Sequence, residues 1–264
     1  MIDVLRARLA GGRRTARYPE LPVVLPERFR GRPSLDPSRC TDGCRACADR
    51  CPTAAIRTDP LAVDLGACLF CPVCSEACPA GAIAFTRDHR LAARRRQDLL
   101  ATPGGEGGAE RLAAALDARA RRLFGRSLKL RHVAAGDCGG CAAELNALGN
   151  VVFDLGRFGI QFVASPRHAD GVLLTGPVPP NMAAALRETV AAVPAPKLVI
   201  AVGACAISGG PFGGAAAGLA GAPADLPVDL YVPGCPPHPY TVLDGLLRLL
   251  GRLDPRAPGA QAAR

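Results

Sequence analysis

The chain contains no tryptophan, and aromatic residues make up only 4% of its 264 residues. Its cores must therefore be aliphatic, and the scarcity of aromatics argues against a surface that stacks nucleic-acid bases. Lysine is nearly missing. Lys129 and Lys197 are the only two, so arginine carries almost all of the positive charge behind the formal net charge of +9. That skew resembles a composition bias as much as a basic binding surface. Long apolar runs are also absent. The longest, near 198–207, has about ten residues including Gly203, too short to cross a bilayer. The opening stretch MIDVLRARLAGGRR lacks the apolar segment of a secretory signal. These absences predict a protein that is soluble or peripheral to a membrane, in the reducing cytoplasm.

Cysteine, by contrast, is plentiful: there are twelve, and none falls outside a recognisable set. Cys40, Cys44, Cys47 and Cys51 form C-x3-C-x2-C-x3-C-P, and Cys68, Cys71, Cys74 and Cys78 form C-x2-C-x2-C-x3-C-P. Doubled runs of this kind are the signature of two [4Fe–4S] clusters, in which the fourth cysteine of each run ligates the other cluster. The predicted ligand sets are Cys40, Cys44, Cys47 and Cys78 for one cluster, and Cys68, Cys71, Cys74 and Cys51 for the other. Pro52 and Pro79 then turn the chain away. The first run carries an extra residue among Thr41, Asp42 and Gly43, which Gly43 can absorb in a left-handed turn. Paired C-x2-C motifs also bind zinc, but two overlapping runs of four do not have zinc spacing. Disulfides do not suit a chain without a secretory signal.

Residues 1–30 read as a basic start followed by an extended arm, because Pro19, Pro22 and Pro26 forbid a regular helix. Such an arm packs against something, and a partner subunit is the expectation. Residues 31–90 are the two-cluster module. Residues 91–127 read as a linker, with helical patterns at 91–100 and 110–124 around a glycine-rich centre at 102–108. Residues 128–253 alternate predicted strands (128–134, 160–164, 171–175, 197–202, 228–232) with predicted helices (141–150, 182–193, 240–250), and 254–264 form a tail. Short apolar strands alternating with helices predict an α/β, doubly wound, flavodoxin-like parallel sheet.

Cys138 and Cys141 follow the first of these strands, Cys205 the fourth and Cys235 the fifth. In an open parallel sheet the carboxyl ends of all strands lie on one edge, so the three loops converge there. They are far apart in sequence, with 64 residues from Cys141 to Cys205 and 30 from there to Cys235. Gly139, Gly140, Gly203 and Gly234 lie in the same loops, where small residues let backbone approach a bulky group and donate N–H groups to it. The plainer reading makes Cys205 and Cys235 buried thiols. Their glycine- and proline-rich loops disfavour it.

The stretches PRHADGVLLTGPVPPNMAAAL (166–186), KLVIAVGACAISGGPF (197–212) and YVPGCPPHPYTVLDGL (231–246) resemble the cluster-bearing subunit shared by respiratory complex I and the membrane-bound [NiFe] hydrogenases. TARYPELPVVLPERFRGRPSLD (15–36) resembles the two-cluster ferredoxin-like subunit of the same complexes, so the chain looks like a fusion of two adjacent subunits. Complex I subunits carry adjacent cysteines at the first ligand position. The Cys138-Gly-Gly-Cys141 spacing here is similar to the hydrogenase branch, which includes formate hydrogenlyase.

The resemblance implies a third [4Fe–4S] cluster on Cys138, Cys141, Cys205 and Cys235, next to the active site of a large partner subunit of the [NiFe] hydrogenase or complex I 49 kDa type. It also implies membrane-arm subunits, a soluble donor such as ferredoxin or a formate dehydrogenase, and a place on the cytoplasmic face of the membrane. Glu144 matches the acidic residue of the family motif and is a candidate proton relay; its alternative role is a favourable charge in the first turn of a helix. His238 stands where relatives carry arginine after C-P-P, which removes a permanent charge. His89, His132 and His168 read as structural or surface residues, because every cluster already has four thiolates.

The expected function is an iron–sulfur electron-transfer subunit of an oxidoreductase complex. The alternatives are the same wiring in a nickel-free quinone-oxidoreductase-related complex, and a non-redox, metal-stabilised scaffold or nucleic-acid binder. Three clusters with their thiolates would bring the net charge from +9 to about +3.

Overall fold

The computed structural model describes residues 2–12, 14–104, 116, 118–213 and 219–253. The predicted glycine-rich linker centre and the tail lie largely or wholly outside them.

The carboxyl-terminal half is built on five parallel strands: β6 (Leu128–Ala134), β7 (Ile160–Phe162), β8 (Gly171–Thr175), β9 (Leu198–Val202) and β10 (Leu230–Val232). Their spatial order is β10-β9-β8-β6-β7. Counted within this sheet, that is the flavodoxin-like order 2-1-3-4-5, with its switch point between β6 and β8. The strands β8 and β9 are buried along their whole length because both faces of the sheet are covered. Leu128, Leu130, Leu173 and Ile200 face one core, shared with Val242, Leu243, Leu246 and Leu247 of the helix Pro239–Leu249. Val172, Leu174 and Ala201 face the other, shared with Leu186 of the helix Pro180–Ala192. Each fully buried leucine or valine contributes about 1.5–3 kcal/mol.

The amino-terminal module is smaller. Strand β1 (Pro33–Leu35) pairs antiparallel with β4 (Ile83–Phe85), and β2 (Ile56–Thr58), β3 (Leu61–Asp64) and β5 (Leu100–Ala101) form a second antiparallel sheet. Leu65, Leu91 and Leu99 belong to the same core as Val172, Leu174 and Leu186, so the two halves share apolar packing.

Two expectations change here. Residues 91–100 form no α-helix. Ala93 pairs with Tyr231 at the open edge of β10, and a short 3-10 turn (Arg96–Leu99) leads into β5. Leu91, Ala92 and Ala93 are consecutive and all buried, which no amphipathic helix allows; pairing with the sheet edge overrides local propensity. Within 110–124, by contrast, Ala118–Phe124 are helical, while Leu116 is not. The second concerns the amino-terminal arm, which packs on its own chain. The Ala16 N–H donates to the Val152 carbonyl at 2.9 Å, and the Arg157 guanidinium to the Tyr18 carbonyl at 2.9 Å. Further on, Arg87 of the amino-terminal module donates to the carbonyls of Leu25, Pro26 and Glu27. The helix Ile2–Gly11, before the arm, buries no residue. Among the described residues no helix is long and apolar enough to cross a membrane.

Candidate metal centres

Both cysteine runs fold alike. The first two cysteines lie in irregular chain. The third sits on a one-turn helix, Ala46–Asp49 for Cys47 and Val73–Ala77 for Cys74, and the fourth leaves that helix just before a proline. Gly43 takes a positive φ of 74°, and so accommodates the longer first spacing. Two pockets lie between the runs. One is bordered by Cys40, Cys44, Cys47 and Cys78, the other by Cys51, Cys68, Cys71 and Cys74. Cys51 and Cys78 thus each stand with the three cysteines of the opposite run.

Backbone N–H groups already point at these sulfurs. Ala55 donates to Cys51 Sγ at 3.3 Å, Phe70 to Cys68 Sγ at 3.3 Å and Ala82 to Cys78 Sγ at 3.2 Å. Burial, with repulsion from neighbouring thiols, pushes Cys68 up to about 12 and Cys74 up to about 11. Cys78 is the exception. Burial raises it, but N–H groups of Ala82, Ala80, Gly81 and Ile83 outweigh that and lower it.

The last four cysteines meet at the carboxyl edge of the parallel sheet. Cys138 follows β6, Cys141 opens the helix Gly140–Ala147, Cys205 lies on the short helix Ala204–Ser208 after β9, and Cys235 follows β10. Burial, then repulsion from Cys205 and Cys235, pushes Cys141 up to about 12. Cys205 rises to about 11 through burial and then through Cys235 and Cys138. Gly203 has φ +91°, and a Cβ there would lie 2.5 Å from Cys141 Sγ, so only glycine leaves room for the thiol. The Cys235 thiol is raised by partial desolvation and then by charge on Cys138 and Cys71.

The donors fit iron–sulfur clusters. All are thiols, they come in fours around open pockets or loops, and backbone N–H groups and glycine approach them closely. Among the described residues no three His, Cys, Asp or Glu side chains converge tightly enough to hold a single metal ion. A mononuclear tetrahedral zinc site would need sulfurs about 3.8 Å apart, given Zn–S bonds of about 2.3 Å.

Residues 138–249 match the family described as NADH ubiquinone oxidoreductase, 20 Kd subunit. An NADH-quinone oxidoreductase subunit from Nocardioides is 43% identical over 124 residues, covering 47% of this chain and 67% of that protein. The chain belongs to this family. A protein described as a probable membrane-bound hydrogenase subunit from Pyrococcus furiosus is 41% identical over 134 residues, 50% of this chain and 79% of that one. The NADH-quinone oxidoreductase subunit of Heliobacterium modesticaldum is 44% identical over 115 residues, 43% of this chain, and the chain spans 66% of its length. A chain in the solved membrane-bound sulfane sulfur reductase, an archaeal respiratory membrane complex, is 34% identical with a TM-score of 0.45, covering 52% of this chain and 75% of that one. The family match begins at Cys138, so the eight cysteines of the amino-terminal runs lie outside it.

Within the family region Glu144 is half-buried on the helix that carries Cys141, and burial raises its pKa. His238 caps the helix Pro239–Leu249, its Nδ1 accepting from the Tyr240 N–H at 3.2 Å. Its ring packs against Phe29, Phe153 and Tyr240. His168 is exposed, and His89 is buried with Nε2 unbonded. His132, read as structural, bonds Thr175 beside the third set. Asp137 and Thr175 were not singled out from sequence. Their only signal there was position: Asp137 directly before Cys138, and Thr175 at the end of a strand reaching the same sheet edge.

Proposed function

We propose that this chain is an iron–sulfur electron-transfer subunit of a membrane-associated, hydrogenase-type oxidoreductase complex, formed by fusion of a two-cluster ferredoxin-like module with the family's small-subunit domain. Bound [4Fe–4S] clusters would supply one-electron transfer between a soluble donor and the active site of a large partner subunit. Cys40, Cys44, Cys47 and Cys78 would hold one, Cys68, Cys71, Cys74 and Cys51 the second, and Cys138, Cys141, Cys205 and Cys235 the third. The observation that carries this reading is the grouping of all twelve cysteines into three sets of four.

The chain's own residues set the conditions for that chemistry. N–H groups of Ala55, Phe70 and Ala82 stabilise thiolate charge. Buried thiols whose pKa values are raised become ligands only when metal charge compensates them, so folding and metal loading are coupled. Glu144 is the candidate for exchanging a proton near Cys141, its carboxyl made more basic by burial. Cys138 and Cys235 are exposed, which suits a third set covered by the large subunit.

A second reading has the same wiring without nickel, in a complex that reduces a quinone or another acceptor. The NADH-quinone oxidoreductase relatives favour it, whereas the Cys138–Cys141 spacing and the Pyrococcus relative favour the first. The native complex, purified anaerobically, decides by its metal content. The expected result is about 12 iron atoms in this chain, from three four-iron clusters, with nickel in the complex. Full iron without nickel moves the assignment to the second reading. Zinc in place of iron overturns both.

A further inference from the structure

A hydrogen-bonded chain lies under the third cysteine set at the switch point between β6 and β8. On one face of β6 the buried Leu128 and Leu130 are followed by His132, and on β8 the buried Leu173 is followed by Thr175. The apolar column thus ends in two polar side chains where the sheet meets the cysteine loop. Thr175 is fully buried, and its hydroxyl donates to Asp137 Oδ2 at 2.5 Å. His132 Nε2 lies 3.0 Å from the same hydroxyl. A hydroxyl has one proton, and Thr175 spends it on a carboxylate, so His132 must be the donor and carry its proton on Nε2. The other carboxylate oxygen, Asp137 Oδ1, accepts the N–H of Gly139 at 3.2 Å, inside the Cys138–Cys141 loop. The backbone adds a further tie, the Ala135 N–H donating to the Thr175 carbonyl at 2.8 Å.

The carboxylate so held stands directly before Cys138 in the chain and is bonded into the Cys138–Cys141 loop, so its charge lies against that loop. An electron added to a cluster bound there would be repelled by it. A fixed negative charge nearby disfavours the reduced state and lowers the potential.

We propose that Thr175 and His132 are positioning residues for the third cysteine set: their hydrogen bonds lock the Asp137 carboxylate against the Cys138–Cys141 loop, and so keep the reduction potential of the cluster bound there low. The inference rests on the reading that this set binds an iron–sulfur cluster.

The test is an EPR-monitored redox titration of the full-length protein at pH 7, with iron content measured in parallel. Thr175→Val removes the hydroxyl at nearly constant volume. It is expected to raise the potential of the third cluster and leave the other two where they are, while Thr175→Ser stays at the wild-type value. Asp137→Asn is expected to raise the same potential, and Thr175→Val added to it to raise it no further. An unchanged potential in Thr175→Val overturns the proposal, as does an additional rise in the double variant, which would mean that Thr175 acts without Asp137. Should Thr175→Val lose the third cluster, His132→Leu carries the same decision, a rise supporting the proposal and no change overturning it. A wild-type protein without a third-cluster signal would instead sink the functional reading itself.

Discussion

The phenol of Tyr18 donates a 2.9 Å hydrogen bond to Oδ1 of Asp244, 226 residues further along the chain. The other carboxylate oxygen of Asp244 accepts from Arg248 Nε at 2.7 Å, and all three side chains are buried. The arm is thereby fixed to the helix behind the third cysteine set, while its later residues are held by Arg87 of the amino-terminal module. Tyr18→Phe keeps the ring's packing and removes one bond to a buried charge. The expected cost is about 1.5–3 kcal/mol, read as a lowered urea midpoint of the metal-loaded protein; an unchanged midpoint would show that the arm is not held through this bond.

The two crossing cysteines make a spectroscopic prediction. Cys51→Ser should lose the same cluster as Cys71→Ser, and Cys78→Ser the same one as Cys44→Ser. Each loss is expected to remove about four iron atoms. EPR spectra of the four variants compare the pairs directly. If Cys51→Ser matched Cys44→Ser instead, each run would serve its own cluster and the crossed ligand sets would be wrong.

Gly203 is a steric test of the third set. Its positive φ and the 2.5 Å approach of a Cβ to Cys141 Sγ mean that Gly203→Ala strains the backbone and displaces the thiol together. The expected outcome is loss of about one third of the bound iron, with the spectra of the other two clusters intact. Full iron in this variant would place the third metal group away from Cys141.

His238 links stability to acid. Burial first, and then the nearby His89, lowers its pKa from 6.5 to about 4. His89 is shifted the same way, again by burial. Between these pH values the unfolded chain binds protons that the folded chain does not, so stability is present above about 6.5 and is lost as pH falls toward about 4. Asp88 is also lowered from 3.8, so its loss belongs at still lower pH. Urea midpoints from pH 7 to pH 4.5 should therefore decline, and His238→Gln should flatten the decline. A variant as acid-sensitive as the wild type would assign the effect elsewhere.

Local pattern was a good guide where neighbours in sequence decide the conformation. The strands at 128–134 and 171–175 have the bounds their apolar runs imply, and the other three start or stop within two residues of expectation. Both faces of that sheet are covered, so continuous apolar runs carry the signal. At 91–100 the same kind of reading failed. Arginines and leucines there have a helical pattern, yet the segment spends its backbone bonds on the edge of β10 and, with the residue after it, on β3, at residues more than 130 positions later and more than 30 earlier.

The sequence by itself determined the metal chemistry to be expected, because ligand spacing is a local property. A C-x2-C pair spans one turn of chain, and proline or glycine beside it sets the turn. It also determined the sheet, through strand-length apolar runs, and hence the edge where the last four cysteines meet. Only the tertiary structure decided that the arm closes on its own chain, that residues 91–101 join the two halves, and that Thr175 holds Asp137 against the Cys138–Cys141 loop. Each of these depends on single polar groups paired across a folded interior. Such pairs leave no period or spacing in the chain, since what selects them is the cost of leaving a buried donor or acceptor unpaired.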